Sequence, residues 1–96
     1  MRADLPRGVL AAQLIHAAGE SAGGAVPRGT HAVALAVPDE AALLAVAAHL
    51  RRRGLSFVLI REPDEPWRGA AMAIGLAPVP DRREVRRVLG GLPLLT

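Results

Sequence analysis

Residues 2–21 read RADLPRGVLAAQLIHAAGES, and the change from extended to helical backbone inside this stretch decides how the rest is arranged. Pro6 fixes φ and lacks an N–H, so it ends a short extended segment and suits the first turn of a helix, where an absent donor costs nothing. From about Gly8 to Ser21, Leu10, Leu14 and Ala18, flanked by Ala11, Ile15 and Ala22, recur at helical spacing. Gln13, His16 and Glu20 are three and four apart and share a helix face.

Moving outward, Gly23, Gly24, Pro27 and Gly29 form a loop rich in breakers. Thr30 to Val37, THAVALAV, has no polar residue after His31 and is expected as a central strand buried on both faces. Pro38, Asp39 and Glu40 open a second helix with a capping carboxylate and an acidic first turn. Its apolar set is Leu43, Leu44, Val46, Ala47 and Leu50, and Arg51, Arg52, Arg53 and Gly54 close it. Cations at a helix C-terminus are explained by the dipole, with RNA phosphate contact the alternative.

Phe57 to Ile60 is a short apolar strand, so Thr30 to Ile60 reads as a strand, helix, strand unit with parallel strands and a right-handed crossover. The REPDEPW stretch, Arg61 to Trp67, follows it and is the densest charged run of the chain, at the strand end where open α/β sheets place ligands. Ala70 to Leu76 is strand-like, with Gly75 weakening it. Asp81 and Glu84 resemble a capping box for a last helix from about Arg82 to Leu89, and Leu92 to Leu95 is a final extended segment. The expectation is a single α/β domain over residues 1–96, a three-layer α/β/α sandwich around a small mixed sheet of about four strands with the first strand truncated.

Composition narrows the chemistry. Hydrophobic residues make up 51% of the 96, yet only one Trp and one Phe are present, so close packing of Ala, Leu and Val must form the core. With no cysteine, disulfides and thiolate metal sites are excluded, and a reducing cytoplasm is the expected compartment. Arg2 and Asp4 interrupt any signal-peptide pattern and no run reaches the roughly 18 apolar residues of a membrane span, so no membrane partner is expected. The net charge is +3 and every basic residue is Arg, compatible with a phosphate-bearing partner and equally with codon bias. His16, His31 and His49 stand on separate elements without paired spacing, so neither a metal nor a cofactor is expected. Trp67 reads as a loop anchor rather than a base-stacking platform.

These residues carry a resemblance. The stretch 2–21, with Ala11, Ala12, Gln13, His16 and Ala17, resembles the first strand end and helix of the type 2 peptidyl-tRNA hydrolase family, and HAVALAVPDEAALLAVAAHLRRRGLSFVLIREPDE is similar to its second strand, PDE-initiated helix and third strand. The REPD loop is closest to a bacterial subgroup. Where the family has a Gly- and Lys-rich turn, this chain has Pro6 to Leu10, with Arg7 its one basic residue. Where the family has Asp followed by Thr, Glu62 stands with Asp64 nearby and no Thr follows.

The resemblance implies hydrolysis of the ester between a peptide, or an N-blocked amino acid, and tRNA. Glu62 or Asp64 would orient or deprotonate water, His16 would serve as acid or base, and Arg7 would hold phosphate or the developing oxyanion. Arg2, Asp4, Gln13 and Arg61 fall to substrate binding. Plainer readings stand beside these: a salt bridge from Glu62 to Arg61 or Arg68, and hydrogen-bonded scaffolding for His16 and Gln13. Two other functions stay open, a non-catalytic binding or dimerising module of the same fold and an enzyme acting on another amide or ester. The catalytic reading expects Arg7, His16 and the Glu62 loop at one cleft edge.

Overall fold

The computed structural model describes residues 1–96. The first helix, α1, spans Arg7–Ser21, and Pro6 precedes it with φ −55° and ψ 146°, extended backbone that turns directly into the helix. The buried face is rotated from the expected stripe. Gln13, Ala17 and Ser21 are buried and Leu10 and Leu14 half-buried, whereas Ala11, Ile15 and Ala18 are exposed. The reason is close approach to the sheet, which favours small side chains on the inner face.

Helix α2 spans Glu40–Arg52 and behaves as its sequence requires. The Asp39 carboxylate accepts the Ala42 N–H at 2.9 Å, satisfying an orphan donor of the first turn. Gly54, at φ +70°, ends the helix in the left-handed region. Leu43, Ala47 and Leu50 are buried, and Leu44 remains exposed.

Strands β1, Val58–Glu62, and β2, Ala70–Gly75, form a two-stranded antiparallel ladder in which Ile60 faces Ala73 and Glu62 faces Ala70. The register slips between Ile60 and Arg61, where Met72 is the extra residue on β2. REPDEPW is therefore the connection within a hairpin, not the loop after a parallel strand. Phe57 lies outside β1, and the parallel strand, helix, strand unit expected over Thr30 to Ile60 is absent because β1 pairs with the strand that follows it.

The strand expected over Thr30 to Val37 is also corrected. Thr30 to Val33 are exposed, and only isolated bridges form, Arg2 to Val37 parallel and Leu35 to Leu94 antiparallel. Backbone bonds nevertheless order these segments: Arg2 N donates to Met72 O at 3.4 Å, Ala3 N to Val37 O at 2.8 Å and Leu95 N to Ala34 O at 2.9 Å. The Met1 amino group donates to Leu35 O at 3.1 Å, and burial pushes its pKa down.

Residue alternation sets α1 and α2 on opposite faces of the ladder. Ala17 shares a cluster with Met1, Leu5, Ile60, Met72 and Ala73, while Leu43 shares another with Val37 and Ala71, with Leu59 and Ile74 packed against it. Helix α3, Arg83–Leu89, has no buried residue and packs on α2, helped by an Arg53 to Glu84 ion pair of 3.6 Å. Asp81 does not form the expected capping box: it accepts from the Arg83 backbone and guanidinium. The result is a compact α/β domain of three helices and a two-stranded sheet, with a Cα radius of gyration of 12.9 Å. None of its helices is long and apolar enough to cross a membrane.

Candidate functional site

Helix α1 and the β1–β2 connection meet along an open groove of about 330 Å³. The first two turns of α1 supply Gly8, Val9, Ala12 and Gln13, and the connection supplies Glu62, Asp64, Glu65 and Trp67. Val9 and Gln13 are four apart and Gly8 and Ala12 likewise, so neighbouring rows of one helix side form its wall.

The groove is centred on a pair that joins its two walls. Gln13 Nε2 donates to Glu62 Oε2 at 3.0 Å, and Glu62 Oε1 accepts the Asp64 backbone N–H at 3.1 Å. Glu62 is thus tied to neither Arg61 nor Arg68. Arg61 Nη1 donates to Gly69 O at 2.9 Å, and Arg68 pairs with Glu65 at 2.7 Å. No basic side chain pairs with Glu62 or Asp64, and the Asp64 carboxylate has no hydrogen-bond partner.

Gln13 carries an unbalanced atom. The residue is only 4% exposed, and its Oε1 is buried without a hydrogen-bond partner. Exchanging amide oxygen and nitrogen would set Oε1 against Glu62 Oε2, so the orientation is fixed by the carboxylate. An orphan acceptor of this kind costs about 1–3 kcal/mol.

The mouth of α1 adds donors. Leu10 N is the first to bond back into the helix, to Pro6 O, and no side chain caps the preceding N–H groups. These free amides and the positive end of the helix dipole lie at Gly8 and Val9, beside the carboxylates.

Beside the groove, Arg2 forms a two-bond pair with Asp4, at 2.7 and 2.9 Å, and donates through Nη1 to Ala71 O at 3.1 Å. Its guanidinium lies 6.0 Å from the centroid of Trp67, whose ring packs against the core as an anchor. The hydrogen bond from Arg2 holds the Asp4 carboxyl below its usual pKa and raises that of Arg2. Arg2 and Asp4 brace the site through Trp67 and β2 rather than lining it.

Of the residues named from sequence, the groove brings together Gln13, Glu62 and Asp64. Arg7 is exposed one residue before its edge, and His16 is exposed on α1 with no hydrogen bond to its ring, about 60° round the helix from Gln13. Arg61 lies on the opposite face of the ladder from Glu62, since neighbouring strand residues alternate. Sequence reading missed Glu65 as a lining residue and missed Glu40, whose Oε2 accepts the Ala71 N–H at 2.6 Å and so ties α2 to β2. The acidic start of α2 was the available signal for Glu40, although it also satisfied the helix dipole. No group of three or more His, Asp or Glu residues is arranged to hold a metal ion.

A scan of the chain against protein-family models finds no match, and comparison with curated proteins finds none either.

Proposed function

We propose that the chain is a hydrolase similar to the type 2 peptidyl-tRNA hydrolases, cleaving the ester between a peptide, or an N-blocked amino acid, and tRNA. The observation that carries this reading is the 3.0 Å bond from Gln13 to Glu62, which joins in one groove the two stretches on which the resemblance rests. In the same reading, residues 1–3, 34–37 and 93–95 act with the hairpin as parts of one mixed sheet.

The chemistry divides among few groups. Asp64, whose carboxylate is free, takes the proton from an attacking water, and Glu62 holds the Asp64 backbone in place. The uncapped N–H groups at the start of α1 face the oxyanion that develops on the ester carbonyl, where fixed dipoles are most effective. Arg7 stands next to Gly8 for a tRNA phosphate. His16 takes no part in this scheme.

The test is release of free tRNA from N-acetyl-aminoacyl-tRNA. Wild-type protein should turn over, and Asp64→Asn should lower kcat by about 10²–10⁴-fold with KM little changed. Absence of turnover by wild type at enzyme excess would sink the reading. A second reading, a binding module without hydrolysis, is favoured by the use of both Glu62 oxygens in hydrogen bonds within the protein. It expects uncharged tRNA to bind with steep salt dependence and no product to form.

A further inference from the structure

An apolar cavity of about 110 Å³ lies by Ile74 and Leu76, at the opposite end of β2 from the groove. Leu14 of α1, Leu43 and Val46 of α2 and Leu89 of α3 also line it, and no polar residue does. Met1, Val33 and Leu35 complete the lining, and their backbone bonds show how this end is built. Val37 N donates to Met1 O at 3.0 Å, Ala3 N to Val37 O at 2.8 Å and the Met1 amino group to Leu35 O at 3.1 Å, which are successive rungs of a parallel ladder. Ala34 and Ala36 bond on the other side, to Leu95 and Pro93. The Leu35 N–H therefore points to the side of residues 1–3, one rung past Met1, and it donates to no group of the chain. The Met1 amino group spends one N–H on Leu35 O and leaves the others free. Free donors from two residues thus meet at one end of a cavity whose walls are hydrocarbon.

We propose that the cavity binds the C-terminal end of an apolar peptide, laid as an extended strand between Leu35 and Ile74 on the line of residues 1–3. The terminal carboxylate accepts from the Leu35 N–H and the Met1 ammonium, so one of the two bonds is between opposite charges. The N–H of that last residue donates to Val33 O, which accepts no hydrogen bond within the chain. Side chains of Ala or Val size meet Leu14 on one face and Leu43 on the other. A fatty acid fits less well, because it has the carboxylate and the apolar tail but no N–H for Val33. This site uses no residue of the groove and goes beyond the hydrolase reading.

The probe is fluorescein-labelled Gly-Ser-Ala-Val-Ala-Val with a free C-terminus, titrated with the 96-residue chain and read by anisotropy. It should bind saturably and about tenfold more tightly than the same peptide ending in an amide, which lacks the charge. On binding, the Leu35 amide proton should shift downfield in NMR spectra and exchange more slowly with solvent. The Ala36 amide, already bonded to Pro93 O, is the internal control and should not slow. Placing Val-Ala-Val ahead of Met1 fills the same line covalently and should abolish binding without lowering the melting temperature. Equal binding of acid and amide, no saturable binding, or binding that leaves the Leu35 amide unmoved overturns the proposal. Decanoate binding more tightly than the peptide assigns the cavity to fatty acids and overturns it as well. Because no RNA is present and no groove residue takes part, failure here leaves the hydrolase reading standing, and failure of the tRNA assay leaves this one standing.

Discussion

Asp4 and Arg2 are the pair whose protonation matters most to the frame of the groove. The pair is only partly screened, with the Arg2 side chain 11% and the Asp4 side chain 39% exposed. Because the folded carboxyl titrates below its ordinary value of about 3.9, the unfolded chain binds more protons in that range. The pair therefore contributes stability above about pH 4 that is lost as pH falls through the folded value. Asp4→Asn should lower the melting temperature at pH 7 and flatten its fall on the acid side, as thermal melts from pH 7 to 2.5 would show. An unchanged acid slope would mean that Asp4 is not the group responsible.

At this scale the sequence was partly readable. Gln13 was visible as a candidate because it is a polar residue set in an apolar helix, and Glu62 because it lies in the densest charged run of the chain, where the resembled family has an Asp. Their mutual hydrogen bond was not, because it joins residues 49 apart in the chain. Glu62 also had two arginines nearer in sequence, and which partner wins depends on strand alternation and the shape of the hairpin.

Among the elements, α1 and β2 show what close approach demands. A Cβ on Gly75 would collide with the Ala17 carbonyl oxygen and lie 2.8 Å from Ser21 Oγ. Gly75 is thus no weak point in the strand: its missing side chain lets the helix backbone approach, and Ser21 Oγ donates to Leu76 O at 3.2 Å beside it. Gly75→Ala should destabilise by about 1–3 kcal/mol, read from urea unfolding, since backbone must move to make room. A neutral result would show that the helix can slide away freely.

Helix α2 offers the contrasting case, in which local chemistry suffices. Asp39→Ala removes the cap of Ala42 and should cost about 1 kcal/mol. The start and stop of α2 were legible because capping and the left-handed glycine act within a few residues. The inward face of α1 was not, because Ala, Ser and Gly carry little periodic signal and their placement follows from the sheet they touch.

For the molecule as a whole, 14 of 96 residues are buried, so stability rests on a small core. A domain of this size is held by about 5–14 kcal/mol, and Leu50, fully buried on α2, should remove 2–5 kcal/mol of that when changed to Ala. A loss below about 1 kcal/mol in chemical denaturation would place the core elsewhere. The α/β class and three helices followed from hydrophobic period and breakers. Strand pairing did not, because THAVALAV is equally apolar whether it forms a ladder or a line of single bridges, and partners distant in sequence decide which.

Residues 34–36 meet their partners at 93–95, far along the chain, only after α1, α2 and the hairpin have been made. During synthesis α1, α2 and the hairpin can assemble while one side of this extended segment keeps its backbone N–H and C=O groups open. An open edge of that kind invites pairing with another nascent chain. The chain truncated before Pro93 should therefore associate more readily than the chain that includes Leu95, as light scattering at equal concentration would show.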